Sequence, residues 1–217
     1  MRAGGVKLLF GLLVAGVALL APSAGVAETK APADEIRAVM DRVTGVVVES
    51  KDKVGEEEIE KKLREIIMPV FNFEEMSKRS MGSNWSKATA EEQKEFVKLF
   101  GELLGRTYLK RIRRNAETSK LAHVTESIEG AMAMVKTKVK TADEDIAIDY
   151  RFSLKDDHWR IYDVVIENVG LVNNYRNEFG TIVRRSGFPG LLARLRDKTA
   201  ANAEADRKAA AEAKKSE

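Results

Sequence analysis

Few residues in this chain have the type and spacing to do chemistry. His123 and His158 are its only imidazoles. His123 falls near the start of a strand-like stretch and His158 closes the charged turn Lys155-Asp156-Asp157-His158, so each reads as a solvated side chain. A zinc site would need cysteines or histidines paired at helical spacing, and the chain has no cysteine. Asp143, Glu144 and Asp145 are consecutive, which aims their carboxylates in different directions and suits a solvated turn better than a calcium site. There is no nucleophile elbow and no glycine-rich phosphate loop. What remains is the neighbouring pair Tyr162 and Asp163 in an apolar strand. An enzyme acting on a lipid or another small hydrophobic molecule could use either as acid or base. The inventory therefore favours a protein without catalytic residues, metal or cofactor, in which any bound molecule is cargo.

The densest positive charge is Lys110-Arg111-Ile112-Arg113-Arg114, at the end of a long predicted helix. The macrodipole favours cations there by about 0.3–1 kcal/mol each, which accounts for the run without a ligand. Contact with anionic headgroups or an acidic partner is the alternative reading. Phe96, Phe100, Leu104 and Tyr108 share one face of that helix; core packing explains them, and so would the wall of an apolar cleft.

The spacing predicts the elements that must position these groups. Arg2 and Lys7 precede an apolar run over 8–20 that is short of the roughly 20 residues a spanning helix needs, and small residues follow up to Ala27. Residues 1–27 read as a secretory signal peptide, which places the mature chain in the periplasm. Its removal takes Arg2 and Lys7 from a formal charge of +3, leaving a nearly balanced surface that gives nucleic acid no footing. Ile36, Val39, Met40, Val43, Val46 and Val47 form a helical stripe, and Ile59, Leu63, Ile66 and Ile67 form another before Pro69. Asn72 with Glu75, and Thr89 with Glu92, carry the capping-box pattern for two further helices. Alternation then replaces the helical period over 131–140, 146–154 and 159–166, an antiparallel meander. Helical spacing returns at Leu171, breaks at Gly187-Phe188-Pro189-Gly190, and resumes in a short helix with Leu191, Leu192 and Leu195. The fold class is α+β: one domain over 28–198, with a frayed or disordered alanine- and charge-rich tail over 199–217.

A twisted antiparallel sheet wrapped by helices tends to leave an apolar pocket, with Tyr150, Tyr162 and Tyr175 available as polar trim. Two phrases add to this. The segment PVFNFEEMSKRSMGSNWSKATAEEQKEFVKLFGELLGRTYLKRI (69–112) and the segment WRIYDVVIENVGLVNNYRNEF (159–179) resemble the periplasmic MlaC family, which carries phospholipids between an outer-membrane lipoprotein complex and an inner-membrane ABC transporter, a system tied to outer-membrane lipid asymmetry. The chain departs from the family at Asn168, where glycine is frequent, and at Gly170, where serine is frequent.

The resemblance implies acyl chains held in the apolar pocket with the headgroup outside, in a monomer that shuttles phospholipid between the two membrane complexes. Under that reading the wall residues are Trp85, Phe100, Leu104, Tyr108, Val135, Tyr150, Ile161, Val165, Val172 and Tyr175, and Asp163 becomes a structural hydrogen-bonding residue. Two rivals stay open: the enzyme using Asp163 or Tyr162, and a structural adaptor with a solid core.

Overall fold

In the computed structural model of the chain, residues 30–51, 53–142 and 144–213 are described. The predicted signal peptide over 1–27, and Asp143 of the acidic triplet, lie outside them. Four helices come first: α1 (Pro32–Ser50), α2 (Glu56–Ile67), α3 (Phe73–Met81) and α4 (Ala90–Asn115). A sheet follows, with β1 (Lys120–Glu129), β2 (Met132–Lys140), β3 (Asp145–Lys155), β4 (His158–Ile166) and the two-residue β5 (Val169–Gly170), and then α5 (Leu171–Ala213). The α+β expectation holds.

Local chemistry sets most boundaries. At α4 the Thr89 side chain accepts from Glu92 N while Glu92 accepts from Thr89 N, a complete capping box. At α3 only half of the pattern forms: Asn72 Oδ1 accepts from Glu75 N at 3.0 Å. Glu75 has turned instead to Arg79, 2.7 Å away one helical turn on. Pro69 ends α2 in a single 3-10 turn (Met68–Val70).

All five strands are antiparallel neighbours in the order β1-β2-β3-β4-β5. Asp156 and Asp157, both at positive φ, make the two-residue turn between β3 and β4. Glu167 and Asn168 do the same between β4 and β5, with Asn168 at φ 65. This explains the departure from the family's glycine, since asparagine is among the few residues that tolerate the left-handed region. A bulge between Arg151 and Phe152 on the β3 side leaves Tyr162 of β4 without a register partner.

The apolar residues form three clusters. Aromatic side chains of α3, α4 and α5 build the first, including Phe96, Phe100, Tyr175, Phe179 and Phe188. The second joins α1 to the sheet through Ile36, Val135, Phe152 and Ile161. Leu63 lies at the heart of the third, between α1, α2 and α4. Phe71 packs against all three. Its strand-like segment pairs with β4, where Asn72 N donates to Ile161 O at 2.8 Å.

Helix α5 has one break, at Gly187 (φ 68, ψ 179). That matches the predicted interruption, but the helix beyond it runs on to Ala213, well past Leu195. Alanine-rich sequence with favourable spacing such as Glu204–Lys208, 2.7 Å apart, has the propensity to continue a helix without a core to pack on.

Candidate functional site

Where the three clusters meet, packing leaves a cavity of about 370 Å³, within the range of small-molecule pockets. Most of its wall comes from four stretches, with Ile67 of α2, Phe73 and Met76 of α3 and Leu171 of α5 completing it. Helix α1 supplies Ile36, Val39, Met40 and Val43; the segment after α2 supplies Val70 and Phe71; α4 supplies Leu104, Tyr108, Ile112 and Asn115; and the sheet supplies Val139, Ile146, Ile148, Tyr150, Ile161, Val164 and Ile166. Phe71 remains partly exposed although three clusters touch it, because one of its faces looks into this space.

The α4 contribution follows from helical spacing. Leu104, Tyr108, Arg111, Ile112 and Asn115 lie three or four residues apart and so form one stripe. Along it the wall changes from apolar to polar toward the C-terminal end of the helix. Arg111, Glu144 and Glu167 are exposed and also border the cavity. The cavity therefore has an apolar body and one polar end.

Burial keeps the nearby phenols neutral. Burial pushes the Tyr150 hydroxyl up to about 12, with a hydrogen bond to Thr137 pulling the other way. Tyr175 is also raised to about 12, first by burial and then by Tyr108 and Glu178. Tyr108 is raised by burial and opposed by the Arg111 charge. These groups can donate a hydrogen bond but are not bases near neutral pH.

The structure distributes the ten wall residues named from the sequence over several environments. Leu104, Tyr108, Tyr150 and Ile161 line the cavity. Trp85, Phe100, Val172 and Tyr175 belong to the aromatic cluster on the far side of α4, with Phe100 and Tyr175 edge to face at 5.1 Å. Val135 is fully buried in the packing of α1 on the sheet.

Val165 is displaced by the bulge. On a strictly alternating strand Ile161 and Val165 would share a face. With Tyr162 looped out of register, Ile161, Val164 and Ile166 pair with Phe152, Tyr150 and Ile148 and occupy the cavity side. Val165 consequently turns to the other face, beside Gly170. The α1 residues and Ile146, Ile148 and Ile112 border the cavity without having been singled out. Their stripes are the ordinary signature of a core face, and nothing in their spacing distinguishes a filled face from a hollow one.

The same bulge decides the position of the candidate acid and base. Asp163 is buried, and both of its oxygens are engaged away from the cavity. Oδ1 accepts from Val172 N at 3.0 Å and Oδ2 lies 3.2 Å from Arg151 Nη1. It satisfies an otherwise orphan donor at the start of α5 and ties that helix to β4. Tyr162 lies under the Arg79 guanidinium, 4.1 Å from ring centroid to Cζ. Both histidines are exposed. Among the described residues no group of carboxylates and histidines could hold a metal ion, and no helix is long and apolar enough to cross a membrane.

Comparison with known proteins gives consistent matches. A family model described as MlaC protein matches residues 37–197. A protein of Haemophilus influenzae named intermembrane phospholipid transport system binding protein MlaC is 22% identical over 139 residues, which cover 61% of this chain. The chain spans 64% of the length of that relative. The fold is also similar to the solved structure of a phospholipid-binding protein from Ralstonia solanacearum in complex with a phospholipid. The TM-score is 0.69 and the identity 24%, with 80% of this chain and 99% of that chain covered.

Proposed function

From the premise that the chain belongs to the MlaC family, we propose that it is a periplasmic phospholipid carrier, holding acyl chains in the cavity and moving lipid between outer- and inner-membrane complexes of an ABC transport system. The observation that carries this reading is the cavity itself, about 370 Å³ of largely apolar space open to polar groups at one end. An amphiphile fits that polarity: its chains gain roughly 25 cal/mol for each Å² removed from water, while its headgroup stays at the wet end. The names of the Haemophilus and Ralstonia proteins, each referring to phospholipid, support the same class of ligand.

Of the residues named from the sequence, Leu104, Tyr108, Tyr150 and Ile161 are the ones proposed to touch acyl chains, joined by Ile36, Val39, Ile148 and Val164. No covalent step is needed for such a role. Holding and releasing the chains requires only that a partner open the wall or offer a better apolar home.

The test is native mass spectrometry, with organic extraction, on the protein purified from a periplasm without detergent. One phospholipid per chain is the expected result. A well-folded, empty protein that also refuses added phospholipid would overturn the proposal and leave the structural adaptor in its place.

A further inference from the structure

The basic run at the end of α4 does not act as one unit. Arg113 is held by α2, with Nη1 2.7 Å from Glu56 Oε1 and Nε 3.4 Å from Glu60 Oε1. Arg111 points elsewhere: it borders the polar end of the cavity, its charge reaches the Tyr108 hydroxyl, and among the described residues no carboxylate pairs with it. Asn115, one turn further on, continues the same cavity-facing stripe.

Across the opening, the β2–β3 turn presents Glu144. That turn is braced from within, since Thr141 Oγ1 donates to Glu144 O at 2.9 Å and accepts from Glu144 N at 3.1 Å. The Glu144 carboxylate itself has no cationic partner among the described residues. The other described acids that border the cavity are already engaged. Glu35 lies 3.5 Å from Lys30 Nζ, and Glu167 Oε1 accepts from Ala147 N at 2.6 Å. Among the described residues that border the cavity, Arg111 on the helix side is thus the uncommitted cation and Glu144 on the sheet side the uncommitted anion.

We infer that this opening is a headgroup site for a zwitterionic phospholipid, with the phosphate at Arg111 and Asn115 and the ammonium at Glu144. The inference rests on the carrier reading above and adds to it a choice among headgroups. A guanidinium and a carboxamide on one stripe offer several donors to phosphate oxygens, and a carboxylate opposite rewards a cation, gives an uncharged terminus no ionic gain and opposes an acidic one. Both groups are exposed, so the discrimination is modest, roughly two- to fivefold, as for surface charge pairs.

The experiment loads the purified full-length chain from vesicles containing equal amounts of phosphatidylethanolamine and phosphatidylglycerol with matched acyl chains, and measures the bound ratio by extraction and mass spectrometry. Enrichment in phosphatidylethanolamine is expected for the native protein. Glu144→Gln should bring the ratio back to that of the vesicles at unchanged occupancy, and Glu144→Lys should reverse it. Arg111→Gln should lower occupancy for both lipids, because both carry the phosphate. A native protein whose bound ratio equals the supply, or a preference that survives Glu144→Gln, overturns the headgroup assignment while leaving the carrier intact. A protein that takes up neither lipid overturns the carrier reading and this inference with it.

Discussion

The two sides of α4 use similar residues to opposite ends. Toward α3 and α5, Phe96 and Phe100 sit in a ring cluster with Tyr175, Phe179 and Phe188, at centroid separations of 5.1–5.7 Å. Toward α1 and the sheet, Leu104, Tyr108 and Ile112 face mostly aliphatic side chains, with Phe71 and Tyr150 among them, across a cavity of about 370 Å³. The difference teaches that apolar character does not mark a binding wall. On the filled side the rings pack against one another, stacked or edge to face, between helices, whereas on the open side the side chains of α1, α4 and the twisted sheet leave a gap between them.

Four changes would break or sharpen that contrast. The largest effect belongs to Phe100→Ala. It removes a fully buried ring from the filled side and should cost about 3–5 kcal/mol in denaturant unfolding, while the lipid content of each folded molecule stays as in the native protein. A loss of lipid at retained stability would show that the ring cluster is part of the pocket.

Next comes Asp163→Asn, which weakens the tie between β4 on the hollow side and α5 on the filled side. With the charge gone from its contacts to Val172 N and Arg151, about 1–3 kcal/mol should be lost. Turnover is not expected from either form. A catalytic activity abolished by this change would revive the enzymatic reading.

Alkali probes one tyrosine on each side. Tyr150 and Tyr175 are both raised to about 12 from an ordinary value near 10, so the folded chain keeps protons that the unfolded chain releases. Stability should be indifferent to these groups below about pH 10 and fall between about 10 and 12, by at most about 1.4 kcal/mol per pH unit for each tyrosine. Tyr150→Phe and Tyr175→Phe should each remove part of that slope in pH-dependent unfolding. An unchanged slope in both variants would mean that neither phenol is withdrawn from water.

The smallest stability effect is expected from Ile148→Trp, whose bulk enters the cavity in place of a ligand. Unfolding free energy should shift by less than about 1.5 kcal/mol, yet extractable lipid should disappear. A variant that keeps its lipid would place the ligand elsewhere in the fold.

Much of the fold was legible residue by residue. The complete capping box at Thr89, the stop at Pro69, the Asp156-Asp157 turn and the interruption at Gly187 all act within one turn of chain. The candidate site was only partly legible. Leu104, Tyr108, Tyr150 and Ile161 were picked out because they lie on apolar stripes, but so were Phe100, Val172 and Tyr175, which the aromatic cluster absorbs. Val165 faces away from the cavity for a different reason: the bulge at Tyr162 depends on how β4 registers against β3, and period-two alternation contains no trace of it.

By itself, then, the sequence determined the kinds of elements, their order and their apolar faces, because caps, turns and periodicity depend on neighbours a few residues away. The tertiary structure decided which of those faces fills and which stays open, which face of β4 each residue after Tyr162 occupies, and which cation of the α4 run borders the cavity. Those outcomes depend on distances between elements far apart in the chain. Arg113 meets Glu56 across 57 residues of sequence, while Arg111, two residues before it, borders the opening with no carboxylate partner among the described residues.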